Sequence, residues 1–245
     1  MNGSDQSKMG VDEIPPLGLK DLLQETRCVP ELARLAWQWR QVPTAPEVAG
    51  QPVLLLPGFG ASDWMMEPLR RYLMRHGHRV YRWGLGRNHG RLGQLLPGLR
   101  QRIQTIVEKR GEPIQVVGWS LGGYMAREIG RDNPEWFRHI VTLGSPVFGG
   151  AKHTIFQNRY QRQGVDLDGI AARIEARFAT PLQVPVTAIY TKTDGIVCWQ
   201  ACLDHRSPQV RHLEVSGSHT GLIYNPDTLK LVEQCIREAA ERSGC

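Results

Sequence analysis

The chain has 245 residues, 41% hydrophobic and 22% charged, with 26 glycines and 16 prolines scattered without a period. Such a composition is globular and excludes collagen-like, disordered and coiled-coil architectures. Thirty Lys and Arg against 24 Asp and Glu leave a net charge of +6, and no apolar run reaches the ~18–20 residues of a membrane span.

Residues 1–13 are polar, rich in Gly, Ser and Asp, and are expected to be mobile. Over 14–40, Leu22, Leu23, Leu32, Leu35, Ala36 and Trp39 recur at helical spacing around Pro30, and Pro43, Pro46 and Pro52 then predict an extended entry. Val53-Leu54-Leu55-Leu56 is an unbroken apolar run closed by Pro57-Gly58-Phe59-Gly60, the pattern of a strand buried on both faces. Helices are predicted over 64–76, 92–110, 121–131 and 227–242. Strands are predicted over 79–83, 114–118, 139–143, 185–190 and 210–215. Alternation of this kind indicates a mostly parallel sheet flanked by helices. Residues 148–180 break the rhythm with polar, Arg-rich sequence and read as an insertion holding a helix over 170–178.

Arginine outnumbers lysine 24 to 6, most densely at Arg70, Arg71, Arg75, Arg79, Arg82, Arg87 and Arg91. These positions fall on a helix, a strand and a loop with no interleaved aromatic ladder, so they read as solvated surface and no nucleic-acid partner is expected. Cys28, Cys198, Cys202, Cys235 and Cys245 are odd in number and lack metal-like spacing, which suits free thiols in a reducing compartment. The N-terminal stretch lacks the apolar core of a secretory signal, and the expected location is cytoplasmic.

In open parallel sheets ligands sit beyond the carboxyl ends of the strands. There Gly118-Trp119-Ser120-Leu121-Gly122 fits G-x-S-x-G between a buried strand and a helix, the context of a strained elbow that lifts a serine hydroxyl above the sheet. A serine needs a base. His219 follows the 210–215 strand and Asp194 follows the 185–190 strand, giving the chain order Ser, Asp, His. Asp204 is the rival acid, but it stands ten residues further on, past what reads as a helical turn. A developing oxyanion needs fixed donors, and the backbone N–H groups of Leu121 and Phe59 are the candidates. Trp119, Phe148, Ile155, Phe156 and Phe178 are candidates for an apolar acyl pocket.

Leu56-Pro57-Gly58-Phe59-Gly60, Gly84-Leu85-Gly86-Arg87-Asn88, residues 118–123, Leu143-Gly144-Ser145-Pro146, Asp194-Gly195-Ile196-Val197 and Ser218-His219-Thr220-Gly221-Leu222 together resemble the α/β-hydrolase family, in its lipase and esterase branch. The resemblance runs from about residue 53 to the end. It implies an α/β-hydrolase domain over 51–245 preceded by a partly helical extension over 1–50, with 148–180 as a short lid. It also implies a carboxylic-ester hydrolase acting on a small ester or lipid through an acyl-enzyme, with no cofactor or metal. The same three residues would equally serve a thioesterase, lactonase, amidase or acyltransferase, and a non-catalytic binding module on this fold stays open. The sequence carries no signal for an oligomeric state.

Overall fold

The computed structural model describes residue 14 and residues 16–42 and 50–242. The expectations for residues 1–13, for Pro43 and Pro46, and for Cys245 lie outside the described residues. Six strands form one parallel sheet: β1 (Pro52–Leu56), β2 (Arg79–Arg82), β3 (Ile114–Trp119), β4 (Phe137–Leu143), β5 (Val186–Tyr190) and β6 (Val210–Glu214), in the spatial order β2-β1-β3-β4-β5-β6. β1 and β3 are buried along their whole length, as expected where helices cover both faces of a parallel sheet.

Strand side chains alternate between faces, and the core divides accordingly. Val53, Leu55, Val117, Val141, Leu143 and Ile189 pack against α3 (Glu67–Arg75) and α8 (Pro226–Arg242). Leu54, Leu56, Ile114, Val116, Ile140 and Val186 pack on the other side against α4 (Leu92–Arg110) and α5 (Leu121–Asp132). At about 1.5–3 kcal/mol for each fully buried large aliphatic side chain, these two layers supply the main driving force for the fold. Arg70, Arg71 and Arg82 converge on the carboxylate of Glu67 at 2.7, 2.9 and 3.0 Å, so part of the basic cluster is neutralised by one side chain.

Before the sheet, α1 (Leu19–Leu22) runs through a 3-10 turn, Leu23–Arg27, into α2 (Cys28–Gln38). Pro30 lies in the first turn of α2, where its missing N–H costs no hydrogen bond. Leu35 is the anchor, 5% exposed and in one cluster with Leu222 and Ile223. Between β4 and β5 stand α6 (Gln157–Arg162) and α7 (Leu167–Arg177). The helix expected from residue 170 begins three residues earlier because the Asp166 carboxylate accepts the Gly169 N–H at 2.7 Å and caps it. No helix among the described residues is long and apolar enough to cross a membrane.

Candidate active site

β3 ends at Trp119 and α5 begins at Leu121, so Ser120 alone makes the turn between them. It does so at φ 53°, ψ −123°, and it is the one non-glycine residue with positive φ among the described residues. Backbone held in such a region stores on the order of 1–3 kcal/mol. The surrounding chain enforces it: the Ser120 N–H donates to Leu143 O at 2.8 Å, and a Cβ on Gly122 would overlap the Leu56 carbonyl oxygen. The G-x-S-x-G spacing thus lets α5 start directly against β1.

Asp194 and His219 come from the loops after β5 and β6. Nδ1 of His219 lies 2.6 Å from Asp194 Oδ2, with the two side chains 4% and 1% exposed. A carboxylate only accepts, so Nδ1–H is the donor and Nε2 keeps its lone pair. The other carboxylate oxygen accepts the N–H groups of Ile196 (2.9 Å) and Val197 (2.7 Å). Thr191 and Thr193 both donate their hydroxyls to Gly217 O, at 2.9 and 2.6 Å, tying the two loops together. Complete burial works against a charged imidazole, but the Asp194 charge and hydrogen bond, with a further contribution from Glu25, outweigh it and raise the His219 pKa above its ordinary value.

The elbow and this pair are linked through Gly144 and Trp119. A Cβ on Gly144, the residue after the carbonyl that receives the Ser120 N–H, would lie 2.9 Å from His219 Nδ1 and 3.1 Å from Asp194 Oδ2. Trp119, the residue before the serine, donates its indole N–H to His219 O at 3.1 Å.

Neither Phe59 N–H nor Leu121 N–H takes part in a hydrogen bond among the described residues. Leu121 opens a helix, where the first N–H groups lack intrahelical acceptors. Phe59 sits in a loop held by the fully buried Asn88, whose Nδ2 donates to Pro57 O at 2.9 Å while Asn88 O accepts from Gly60 N–H at 2.7 Å.

Ser120 opens onto a cavity of about 600 Å³. Phe59, Leu121 and Tyr124 line it, as do Phe156, Tyr160, Leu167, Ile170 and Ile174 of the 148–180 segment. Of the five expected pocket residues, Phe156 lines this space. Trp119 is buried instead, its ring 5.5 Å from the His219 ring. Phe148 and Phe178 stack on each other at 4.9 Å with the Arg206 guanidinium 5.2 Å from both rings. Ile155 bonds through its backbone N–H to Ile196 O at 2.9 Å, and its side chain is absent from the cavity wall. The rival acid Asp204 is engaged elsewhere, in a buried ion pair with Arg127 and in accepting the N–H groups of Arg206 (2.9 Å) and Ser207 (3.1 Å).

Two carboxylates that sequence reasoning passed over lie beside the site. Glu25 contacts the backbone around Asp194 and His219, and Glu31 holds Ser218. Both come from the N-terminal extension and neither stands in a motif. Among the described residues no group of three or more His, Cys, Asp or Glu side chains is arranged to hold a metal.

An all-parallel sheet with a strained serine at a strand-to-helix elbow defines a class, and residues 53–232 match the alpha/beta hydrolase family. The chain belongs to that family. It is 27% identical over 136 residues to a pimeloyl-[acyl-carrier protein] methyl ester esterase from Shewanella woodyi, a match spanning 55% of this chain and about half, 47%, of the length of that relative. Among solved structures it resembles a monoacylglycerol lipase from Paleococcus ferrophilus (TM-score 0.56, 15% identity, 78% of this chain and 96% of the other). It also resembles alpha/beta hydrolase domain-containing protein 10 from mouse (TM-score 0.53, 19% identity, 78% and 90%).

Proposed function

We propose that this protein cleaves carboxylic esters through an acyl-enzyme. Ser120 attacks the carbonyl, His219 takes the hydroxyl proton at Nε2 and returns it to the leaving alkoxide, and Asp194 keeps the imidazole in the required tautomer and stabilises its cation. The N–H groups of Phe59 and Leu121 hold the oxyanion of the tetrahedral intermediate. Water then repeats the sequence on the acyl-enzyme and releases the acid. The observation that carries this reading is the strained backbone of Ser120 at the mouth of an apolar cavity, since strain of that kind persists where the surrounding structure maintains it and clusters at functional sites.

In this reading residues 51–245 are the hydrolase domain, residues 1–50 its extension, and residues 148–180 a lid. The lid would roof the acyl side, because α6 and α7 supply Tyr160, Leu167, Ile170 and Ile174. The substrate is a small ester or lipid: a cavity of about 600 Å³ falls within the range of small-molecule sites, and its apolar wall suits a hydrocarbon acyl group. The esterase named among the relatives supports the same substrate class. The thiols of Cys28, Cys198, Cys202 and Cys235, none of them in a disulfide, support a reducing, cytoplasmic setting.

The test is fluorophosphonate labelling alongside hydrolysis of p-nitrophenyl esters of increasing acyl length. One label per chain, on Ser120, with loss of hydrolysis is the expected result, and Ser120→Ala should take up none. A label on Ser145 or Ser216 would refute the assignment. An acyl thioester turned over faster than every oxygen ester would keep the residue roles and change the leaving group to a thiolate.

A further inference from the structure

Glu25 lies in the 3-10 turn Leu23–Arg27, well before the region that matches the family begins at residue 53. Its carboxylate nevertheless grips both loops that carry the His219–Asp194 pair. Oε1 accepts the N–H of Gly195 at 3.0 Å and of His219 at 2.9 Å. Oε2 accepts the N–H of Thr220 at 2.9 Å and its hydroxyl at 2.7 Å. Gly195 follows Asp194 and Thr220 follows His219, so a single side chain spans the backbone beside both members of the pair. Glu31 on α2 repeats the pattern one residue away, accepting the Ser218 N–H at 2.9 Å and hydroxyl at 2.7 Å.

Four donors on one carboxylate are more than an accidental surface contact supplies, and hydrogen bonds to a charged acceptor are about twice as strong as neutral ones. Burial works against the ionised form of Glu25, but the donors on Thr220, His219 and Gly195 outweigh it and hold its carboxyl below the usual carboxylate range. Glu25 is therefore an anion wherever His219 is to act as a base. The charges bearing on the imidazole are Asp194 from the loop after β5 and Glu25 from the extension, with Glu31 next to Ser218. Both of the first two favour the imidazolium.

We propose that Glu25 is a positioning residue: from outside the hydrolase sheet it locks the acid loop and the histidine loop in one register, so that His219 stays bonded to Asp194 with Nε2 available to Ser120. This inference rests on the serine-hydrolase reading above. It makes the N-terminal extension part of the working site and not an appendage.

The test uses the full chain. Glu25→Gln keeps the shape and one acceptor oxygen, but it removes the charge and turns an NH₂ toward the donors of Thr220. The expected result is a fall in kcat of about tenfold or more with KM little changed, and an acid limb of kcat/KM displaced to lower pH because a negative charge beside the imidazole is gone. Thr220→Val, which removes one of the four donors, should lower kcat by a smaller factor. Arg34→Ala breaks the exposed pair with Asp227 that joins α2 to α8 (2.8 Å), and should leave both kcat and the limb where they are. A Glu25→Gln protein with a lower melting temperature but unchanged kcat and pH midpoint would make Glu25 an anchor for the extension only and overturn the proposal. If that variant does not fold, an unchanged kcat in Thr220→Val overturns it. An intact protein that takes no fluorophosphonate at Ser120 refutes the functional reading and this inference with it. A labelled intact protein whose Glu25→Gln form labels at the same rate and pH midpoint refutes this inference alone.

Discussion

The indole N–H of Trp119 donates to the main-chain oxygen of His219 at 3.1 Å, so the residue preceding the candidate nucleophile holds the backbone of the candidate base. The bond bridges the ends of β3 and β6, which are separated by two other strands in the sheet. Trp119→Phe keeps the apolar bulk and removes the donor. The carbonyl keeps a longer hydrogen bond from the Leu222 N–H at 3.3 Å, so losing the indole donor should cost only about 1 kcal/mol, and a small drop in melting temperature together with a several-fold loss of kcat is expected. Unchanged ester hydrolysis would show that the histidine loop does not depend on this bond.

The raised pKa of His219 has a definite sign for activity. In the proposed mechanism the neutral imidazole is the base, so kcat/KM should climb as pH rises through the folded-state pKa, and that limb should lie above the ~6.5 of a free histidine. For stability the same shift acts oppositely: its contribution is complete below the unfolded pKa and is lost as pH rises through the folded one. A pH–rate profile with its acid limb at or below ~6.5 would contradict the arrangement described.

Asp194 and Asp204 should separate cleanly in one pair of variants. Asp194→Asn permits the wrong tautomer of His219 and should cost roughly 10²–10⁴ in kcat with little change in folding. Asp204→Asn strips the counter-charge from Arg127, whose side chain is 2% exposed, and should destabilise the fold by about 3 kcal/mol or more while kcat of the folded fraction stays within a few-fold. Urea melts and initial rates on both proteins decide the matter. A crippled but stable Asp204→Asn would reverse the assignments.

Ile170 on α7 faces the cavity that Ser120 opens onto. Ile170→Trp should fill part of it and lower kcat/KM for long-chain esters about tenfold, since loss of about two buried methylenes is worth that at ~0.8 kcal/mol each, while acetyl esters are hydrolysed nearly as before. A uniform loss across all chain lengths would mean that the 148–180 segment does not contact the acyl group.

Much of the architecture was legible in the sequence because its causes are local. The unbroken apolar run 53–56 and the run 114–117, interrupted by Gln115, specify buried strands, and 3.6-residue periodicity specifies the intervening helices, so Leu92–Arg110 and Leu121–Asp132 fall where expected, to within one residue. Ser120, Asp194 and His219 stood out for the same reason: each is a reactive side chain within a few residues of a strand end, and a parallel sheet delivers all its strand ends to one edge.

What the tertiary structure alone decided depends on which distant segments meet. An isolated Glu25 has no motif, yet 194 residues separate it from the His219 N–H that it receives. Asn88 shows its role only where it closes on Pro57 and Gly60. Trp119, Phe148 and Phe178 were indistinguishable in sequence from Phe156, because an aromatic side chain contributes the same apolar area to a core, a ring stack or a cavity wall. Only the folded packing assigns Phe156 to the cavity wall, Trp119 to the histidine loop, and Phe148 and Phe178 to a stack against Arg206. Hydrophobic pattern sets the period of each element. The directions of individual side chains, and the pairing of charged groups across the chain, are fixed by close packing among elements whose contacts the pattern does not encode.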